Sequence, residues 1–242
     1  MSDTVILETR KLFAGYGTEA IVRDVSVKLS PASITTIVGS NGAGKSTLLK
    51  AMYGLNTHIS GEIRMNGEPI HGLTPSQRFA LGLGFVPQGR CNFALMTVQE
   101  NLDLGGYTLD PQARAVAMEN MFETFPVLRD RRKVLAGNLS GGEQQLMEMA
   151  MVLMTSPKVL LLDEPSIGLS PINLGIVLDN ITKIRDRGVT VMMVEQNVKG
   201  ALSISDTAIV MELGEVIASG PSAQIWRDEA ISKAYLGRRV EA

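Results

Sequence analysis

The stretch "GSNGAGKST", from Gly39 to Thr47, fits G-x-x-x-x-G-K-[ST], a spacing suited to holding phosphate. Gly39, Gly42 and Gly44, with Ser40, Asn41 and Ala43 between them, let backbone N–H groups turn inward around phosphate oxygens. The helix expected to open at Lys45 adds a partial positive charge at its N-terminus. Lys45 supplies a point charge for the β- and γ-phosphates, Ser46 a hydroxyl that can ligate Mg2+, and Thr47 completes the pattern. The competing reading is a structural glycine turn. The match at every fixed position, after a strand-rich run and before an apolar helix, argues against it.

Three further stretches can do related chemistry. In "VLLLDEP", residues 159–165, four apolar residues read as a buried strand whose C-terminal end presents Asp163 and Glu164. Ligands bind at that end of such sheets. An aspartate there can hold Mg2+ through water, and the adjacent glutamate can polarise an attacking water. In "LSGGEQQ", residues 139–145, Ser140 and Glu143 form a capping box. Gly141 and Gly142 leave the first N–H groups of that helix unobstructed, a second anion site. One phosphate loop already covers one nucleotide, so the second helix end points to a site completed by another subunit. In "VMMVEQN", residues 191–197, a buried strand runs into a polar loop and leaves Gln196 at its end. A glutamine offers two N–H donors and one acceptor and does not titrate near neutral pH.

These residues need a scaffold, and the pattern supplies one. The chain opens on the strand-like "VILETRKLFAGYG", "AIVRDVSVKL" and "ITTIVG", and "GEIRMNGEPI" reads as a hairpin about Asn66-Gly67. Thr74 with Gln77 and Thr97 with Glu100 make capping boxes, and Asp110-Pro111 opens another helix. Residues 93–155 read as mostly helical. Strand and helix then alternate through "VLLLD", "NLGIVLDNITKIRDR" and "VTVMMVE", as in a parallel sheet covered on both faces. "TAIVMEL" pairs with "EVIASG" about Gly214, and a helix is expected through "IWRDEAISKAYLG". The division expected is a core with an antiparallel β subdomain (1–92 and 156–242) and a helical subdomain (93–155).

Bulk properties narrow the function classes. The 242 residues suffice for a substantial core, and the formal net charge of −2 disfavours a nucleic-acid partner. The single cysteine, Cys91, cannot form an internal disulfide, and two histidines, His58 and His71, do not make a multi-histidine metal site. Both are expected in solvated loops. No apolar run approaches the ~20 residues that span a bilayer, and the N-terminal stretch lacks the pattern of a secretory leader. A cytoplasmic location is therefore expected. The thirteen methionines are expected to pack in the core, and the charge run "RDRRK", residues 129–133, to face solvent.

The phosphate loop, "LSGGEQQ" and "LLLDEP", in this order and spacing, resemble the nucleotide-binding subunits of ATP-binding-cassette transporters over essentially the whole chain. The resemblance implies an α/β fold: a RecA-like P-loop NTPase core with the antiparallel and helical subdomains above. It implies that Tyr16 stacks on adenine and that Gln88 touches Mg2+ and senses a membrane partner. It implies that Ser140, Gly141 and Gly142 reach the γ-phosphate on an opposing subunit, and that Glu164 is the catalytic base. "SIGLSP", residues 166–171, resembles the loop that crosses the dimer interface. Two departures stand out: Met151 where an arginine is usual, and Gln196 where most relatives have a switch histidine.

"MMVEQNV", "DEPSIGLSP", "NLSGGEQQ" and the terminal "AYLG" are similar to the smaller ATPases of branched-chain amino-acid uptake systems, with urea and short-chain amide systems close by. The function expected is ATP binding and hydrolysis, with Mg2+, in an importer peripheral to the inner face of the cell membrane. The partners expected are a second cassette ATPase, membrane permease subunits and, indirectly, an external solute-binding protein. The rivals are a lipid or lipopolysaccharide exporter ATPase, disfavoured by the Gln196 segment, and a soluble cassette ATPase, disfavoured by the single phosphate loop.

Overall fold

The computed structural model describes residues 4–228 and 231. Strands β1 (Leu7–Tyr16) and β2 (Glu19–Leu29) form an antiparallel pair, and β3 (Ile34–Val38) leads into helix α1 (Lys45–Tyr53). Strands β4 (Thr57–Met65) and β5 (Glu68–Pro69) form the hairpin about Asn66-Gly67, then α2 (Pro75–Ala80) and β6 (Leu83–Val86) follow. Helices α3 (Val98–Gly105), α4 (Pro111–Thr124), α5 (Pro126–Asp130) and α6 (Gly141–Leu153) come next without an intervening strand. The chain returns through β7 (Val159–Asp163), α7 (Pro171–Asp186), β8 (Thr190–Val194), α8 (Val198–Ile204), β9 (Thr207–Glu212), β10 (Glu215–Pro221) and α9 (Ser222–Arg227).

Two sheets result. One is antiparallel, in the order β2-β1-β4-β5; the other runs β10-β9-β3-β8-β7-β6, parallel except for β10. Every residue of β3, β7 and β8 is buried, as a parallel sheet covered on both faces requires. Alternation still operates inside these strands. Leu160, Leu162, Val191 and Met193 point into an apolar cluster shared with Leu102, Phe122, Leu146 and Met147 of the helical region. Leu161, Met192 and Val194 point the other way, onto Leu48 and Met52 of α1 and Leu7, Leu12 and Ile63 of the antiparallel sheet. The helical region thus shares its core with the strands, and α1 is clamped between the two sheets. Met151 packs against the helical cluster as an ordinary apolar residue.

The caps expected from sequence are present at α2, α3, α4 and α6. Arg129 pairs with Glu119 and Arg131 with Glu143 at the surface. His71 lies in a turn as expected but is half-buried, and His58 is not in a loop. His58 lies within β4, half-buried, with Nε2 2.9 Å from the Gly61 carbonyl, and its ring stacks on His71 at 5.0 Å between centroids. The reason is long-range: the turn that follows β5 folds back over β4, which a loop-and-polarity reading does not anticipate. Buried Arg78 of α2 donates to the carbonyls of Ala51 and Met52 at the end of α1 and to those of Leu73 and His71. Burial pushes its guanidinium down to about 10. The final stretch "AYLG" lies outside the described residues, as does most of "DEAISK".

Candidate active site

The phosphate loop is shaped by contacts on both sides. Gly39 has φ +148, and a Cβ there would lie 2.1 Å from the Met211 carbonyl oxygen of β9. The Ala43 carbonyl accepts from Gly214 N at 3.1 Å, and Gly214 O accepts from Arg23 N at 2.8 Å. The loop is thus wedged between the β9–β10 turn and β2. Gly44, at φ +93, is the N-cap of α1 and offers no side-chain acceptor, so the first N–H groups of the helix have no side-chain cap. Lys45 folds back over the loop, donating to Gly39 O at 3.0 Å and Ser40 O at 2.9 Å. Burial lowers its ammonium from the usual lysine value, and Glu164 and Asp163 act in the opposite sense.

The adjacent strand end brings the acids to the loop. Ser46 Oγ donates to Asp163 Oδ1 at 2.6 Å, across 117 residues of chain. Asp163 is buried, and its Oδ2 has no hydrogen-bond partner. A hydroxyl beside an orphaned carboxylate oxygen fits an ion that keeps much of its water and takes phosphate oxygens, as Mg2+ does. Among the described residues there is no cluster of three acidic, histidine or cysteine side chains that would form a dedicated protein cage. Ser46 and Asp163 therefore fit the metal role expected of them.

Glu164 sits in the left-handed region at φ +52, its N–H donating to Val194 O of β8 at 3.0 Å. That backbone state costs of order 1–3 kcal/mol for a residue with a Cβ, and it aims the side chain out of the strand line. Its Oε2 accepts from Gln88 Nε2 at 3.0 Å and from Gln196 Nε2 at 3.0 Å. Two glutamines, one from the loop after β6 and one from the end of β8, thus hold one oxygen of one carboxylate. The family resemblance implies that Gln88 touches Mg2+; in this structure its amide donates to Glu164. The convergence of the two glutamines had no signal in the sequence, because 76 and 32 residues separate them from Glu164.

A cleft of about 380 Å³ opens over this group, lined by Ile21, Asn41, Gly42, Gly44, Lys45, Ser46, Thr47, Glu164 and Gln196. A larger groove of about 680 Å³ is bordered by Tyr53, Phe79, Tyr107 and Lys158 and has no carboxylate in its lining. Tyr16, at the end of β1, is exposed and outside the lining of the smaller cleft. Ser140, Gly141 and Gly142 are also outside it. Ser140 caps α6, its N–H donating to Glu143 Oε2 at 2.8 Å and its Oγ accepting from Glu143 N at 3.3 Å. Packing also favours glycine at both positions: a Cβ on Gly141 would come 3.0 Å from Leu169, and one on Gly142 3.1 Å from Asn173. The capped helix start therefore lies against the 166–171 loop and the first turn of α7.

Two buried glutamates escaped sequence reasoning. Glu148 of α6 accepts from Cys91 N at 2.9 Å and Asn92 Nδ2 at 2.7 Å, bracing the loop that follows Gln88; burial raises its carboxyl above the usual range. Glu195, beside Gln196, accepts from Ser166 N at 3.0 Å, Ser166 Oγ at 2.7 Å and Gln196 N at 3.2 Å. Burial raises it too, against the pull of those hydrogen bonds. An acid next to Gln196 in "VEQN" was the available signal.

Residues 22–167 match the model of the ABC transporter family. The chain is 41% identical to the high-affinity branched-chain amino acid transport ATP-binding protein BraG of Pseudomonas aeruginosa, over 96% of this chain and 100% of that one. It is 42% identical to the probable branched-chain amino acid transport ATP-binding protein LivF of Archaeoglobus fulgidus, over 96% and 99%. It is 34% identical to the lipopolysaccharide export system ATP-binding protein LptB of Haemophilus influenzae, over 98% and 99%. Among solved structures, a nucleotide-free ATP-binding cassette from an ABC transporter superposes with a TM-score of 0.86 at 25% identity, covering 95% of this chain and 98% of that one.

Proposed function

Because the chain belongs to the ABC transporter family, we propose that it is the ATP-hydrolysing subunit of an importer for branched-chain amino acids. ATPase activity with ATP and Mg2+ follows from family membership. The importer and its substrate are supported by 41% and 42% identity to the BraG and LivF proteins, against 34% to the LptB protein. The observation that carries the catalytic reading is Glu164, held by two amides at the rim of a cleft whose floor is the phosphate loop.

In this reading the backbone of residues 39–47 and the Lys45 ammonium hold the β- and γ-phosphates. Ser46 and Asp163 would hold Mg2+, which when bound would offset negative charge on the phosphate oxygens. Glu164 accepts a proton from the attacking water. Gln88 and Gln196 orient its carboxylate, and Gln196 donates toward the γ-phosphate as a neutral group. Tyr16 stacks on the adenine. Ser140, Gly141 and Gly142 complete a site on an opposing cassette, consistent with their position outside this chain's own cleft. Residues 1–92 with 156–242 act as the core and 93–155 as the helical subdomain.

The working assembly pairs this chain with a second cassette, related or identical, beneath membrane-embedded permease subunits at the inner face of the membrane. An external solute-binding protein acts indirectly, and nucleic acid has no part. No helix among the described residues is long and apolar enough to cross a membrane, which fits a peripheral subunit. Replacing Glu164 by Gln tests the reading. ATP binding is retained, hydrolysis falls by ~100-fold or more, and an ATP-bound dimer accumulates in light scattering. Unchanged turnover would remove Glu164 as the base. Membrane proteins that co-purify with the chain, and uptake of labelled leucine, isoleucine or valine by the complex, test the substrate.

A further inference from the structure

We infer that Glu195 is a positioning residue of the hydrolytic site: its buried carboxylate locks the start of the 166–171 loop to the strand end that carries Gln196. The inference rests on the ATPase reading above. Glu195 is only 2% exposed, yet nothing about a strand end calls for an acid there. A bare carboxylate in the interior is expensive unless donors satisfy it. Here they do. Oε1 accepts the Ser166 N–H, and Oε2 accepts both the Ser166 hydroxyl and the Gln196 N–H. Only an ionised carboxylate offers acceptors on both oxygens and no competing donor.

The geometry closes a ring. Gln196 Nε2 donates to Glu164, and Glu164 is joined through Pro165 to Ser166. Ser166 donates to Glu195, which precedes Gln196 in the chain. The Glu164 N–H, bound to Val194 O, adds a second strut across the same gap. The separation between the Glu164 carboxylate and the Gln196 amide is therefore fixed by the clamp, not by either side chain alone. The ring also reaches outward. Ser166 opens the loop whose Leu169 lies where a Cβ on Gly141 would meet it. Glu195 thus joins the group that faces the phosphate to the loop that lies against the Ser140 cap.

The experiment compares Glu195→Ala, Glu195→Gln, Ser166→Ala and the double variant Glu195→Ala/Ser166→Ala in the full chain within its transporter complex. Nucleotide affinity, kcat, KM and thermal midpoint are measured for each. The parent must hydrolyse ATP and the Lys45→Ala variant must lose nucleotide binding; failure of either control counts against the ATPase reading, not against the clamp. With the controls met, Glu195→Ala lowers kcat by about tenfold, the scale of a small misplacement of catalytic groups, with KM and nucleotide affinity within about twofold. The double variant is no worse than Glu195→Ala alone, because the two side chains act as one unit. Glu195→Gln recovers part of the loss, since its amide can still meet the Ser166 hydroxyl. Turnover of Glu195→Ala within about twofold of the parent would overturn the inference. So would equal losses in kcat, affinity and thermal midpoint, which mark a merely structural carboxylate. Should Glu195→Ala not fold, Ser166→Ala carries the test alone: it leaves the carboxylate in place, and unchanged kcat overturns the clamp.

Discussion

At the scale of single residues, the neutral amide at position 196 is the departure with the clearest physical content. A histidine there donates a hydrogen bond and, when protonated, adds charge. Gln196 donates without charge, and in this structure one N–H of its amide meets Glu164 while the other is left for a second acceptor. We expect Gln196→Ala to cut hydrolysis ~10–100-fold, equivalent to roughly 1.4–2.7 kcal/mol of barrier, with a smaller effect on ATP binding. Gln196→His is expected to keep activity and to gain a pH dependence centred near the reference histidine value of about 6.5. The protonated form predominates below that value. Steady-state turnover against pH for the parent and both variants reads this directly; a fully active alanine variant reduces Gln196 to a strand-end residue. Residues 39–47 and Asp163 could be singled out as candidates because each belongs to a short motif with fixed spacing, whereas Gln88 was named only through the family resemblance. The pairing of Gln88 with Gln196 on one oxygen was not legible, since no local pattern encodes a meeting of three segments.

At the scale of elements, helix caps are encoded locally, whereas contacts between elements are not. Thr74 with Gln77, Thr97 with Glu100, Asp110 and Ser140 with Glu143 all cap the helices that their spacing predicts, because a capping box lies within four residues of chain. The stacking of His58 on His71 was missed because it depends on where a turn falls over a strand. Gly214 is a sharper case. Sequence marked it only as a hairpin turn, yet its φ of +90 and its approach to Ile21 O, where a Cβ would sit at 2.0 Å, make it the wedge that holds the phosphate loop. Gly214→Ala should shift the turn, release Ala43, and weaken nucleotide binding about tenfold, with a stability loss of about 1–3 kcal/mol. Titration with a fluorescent ATP analogue and a denaturation curve measure the two effects. Wild-type affinity in a folded Gly214→Ala protein would show that the loop holds its shape unaided.

At the scale of the whole molecule, the alternation of strands and helices gave the parallel sheet, and the early strands gave the antiparallel one. The shared core of the helical region and the strands became visible only with all elements in place, because apolar periodicity says which face is buried but not against what. One feature of that arrangement reaches beyond a single chain. The Ser140 cap and the Lys45 loop belong to one polypeptide but do not line one cleft. In genetic language, lesions in the two complement only where two copies of this chain pair. A Lys45→Ala copy has a defective phosphate loop and a sound cap; a Ser140→Arg copy is the reverse. If the working pair is two copies of this chain, random mixing of the two inactive proteins restores roughly a quarter of the sites, each built from the sound halves of both. If the partner is a different cassette, the mixture stays as inactive as its components, and a cell carrying both alleles fares no better than one carrying either.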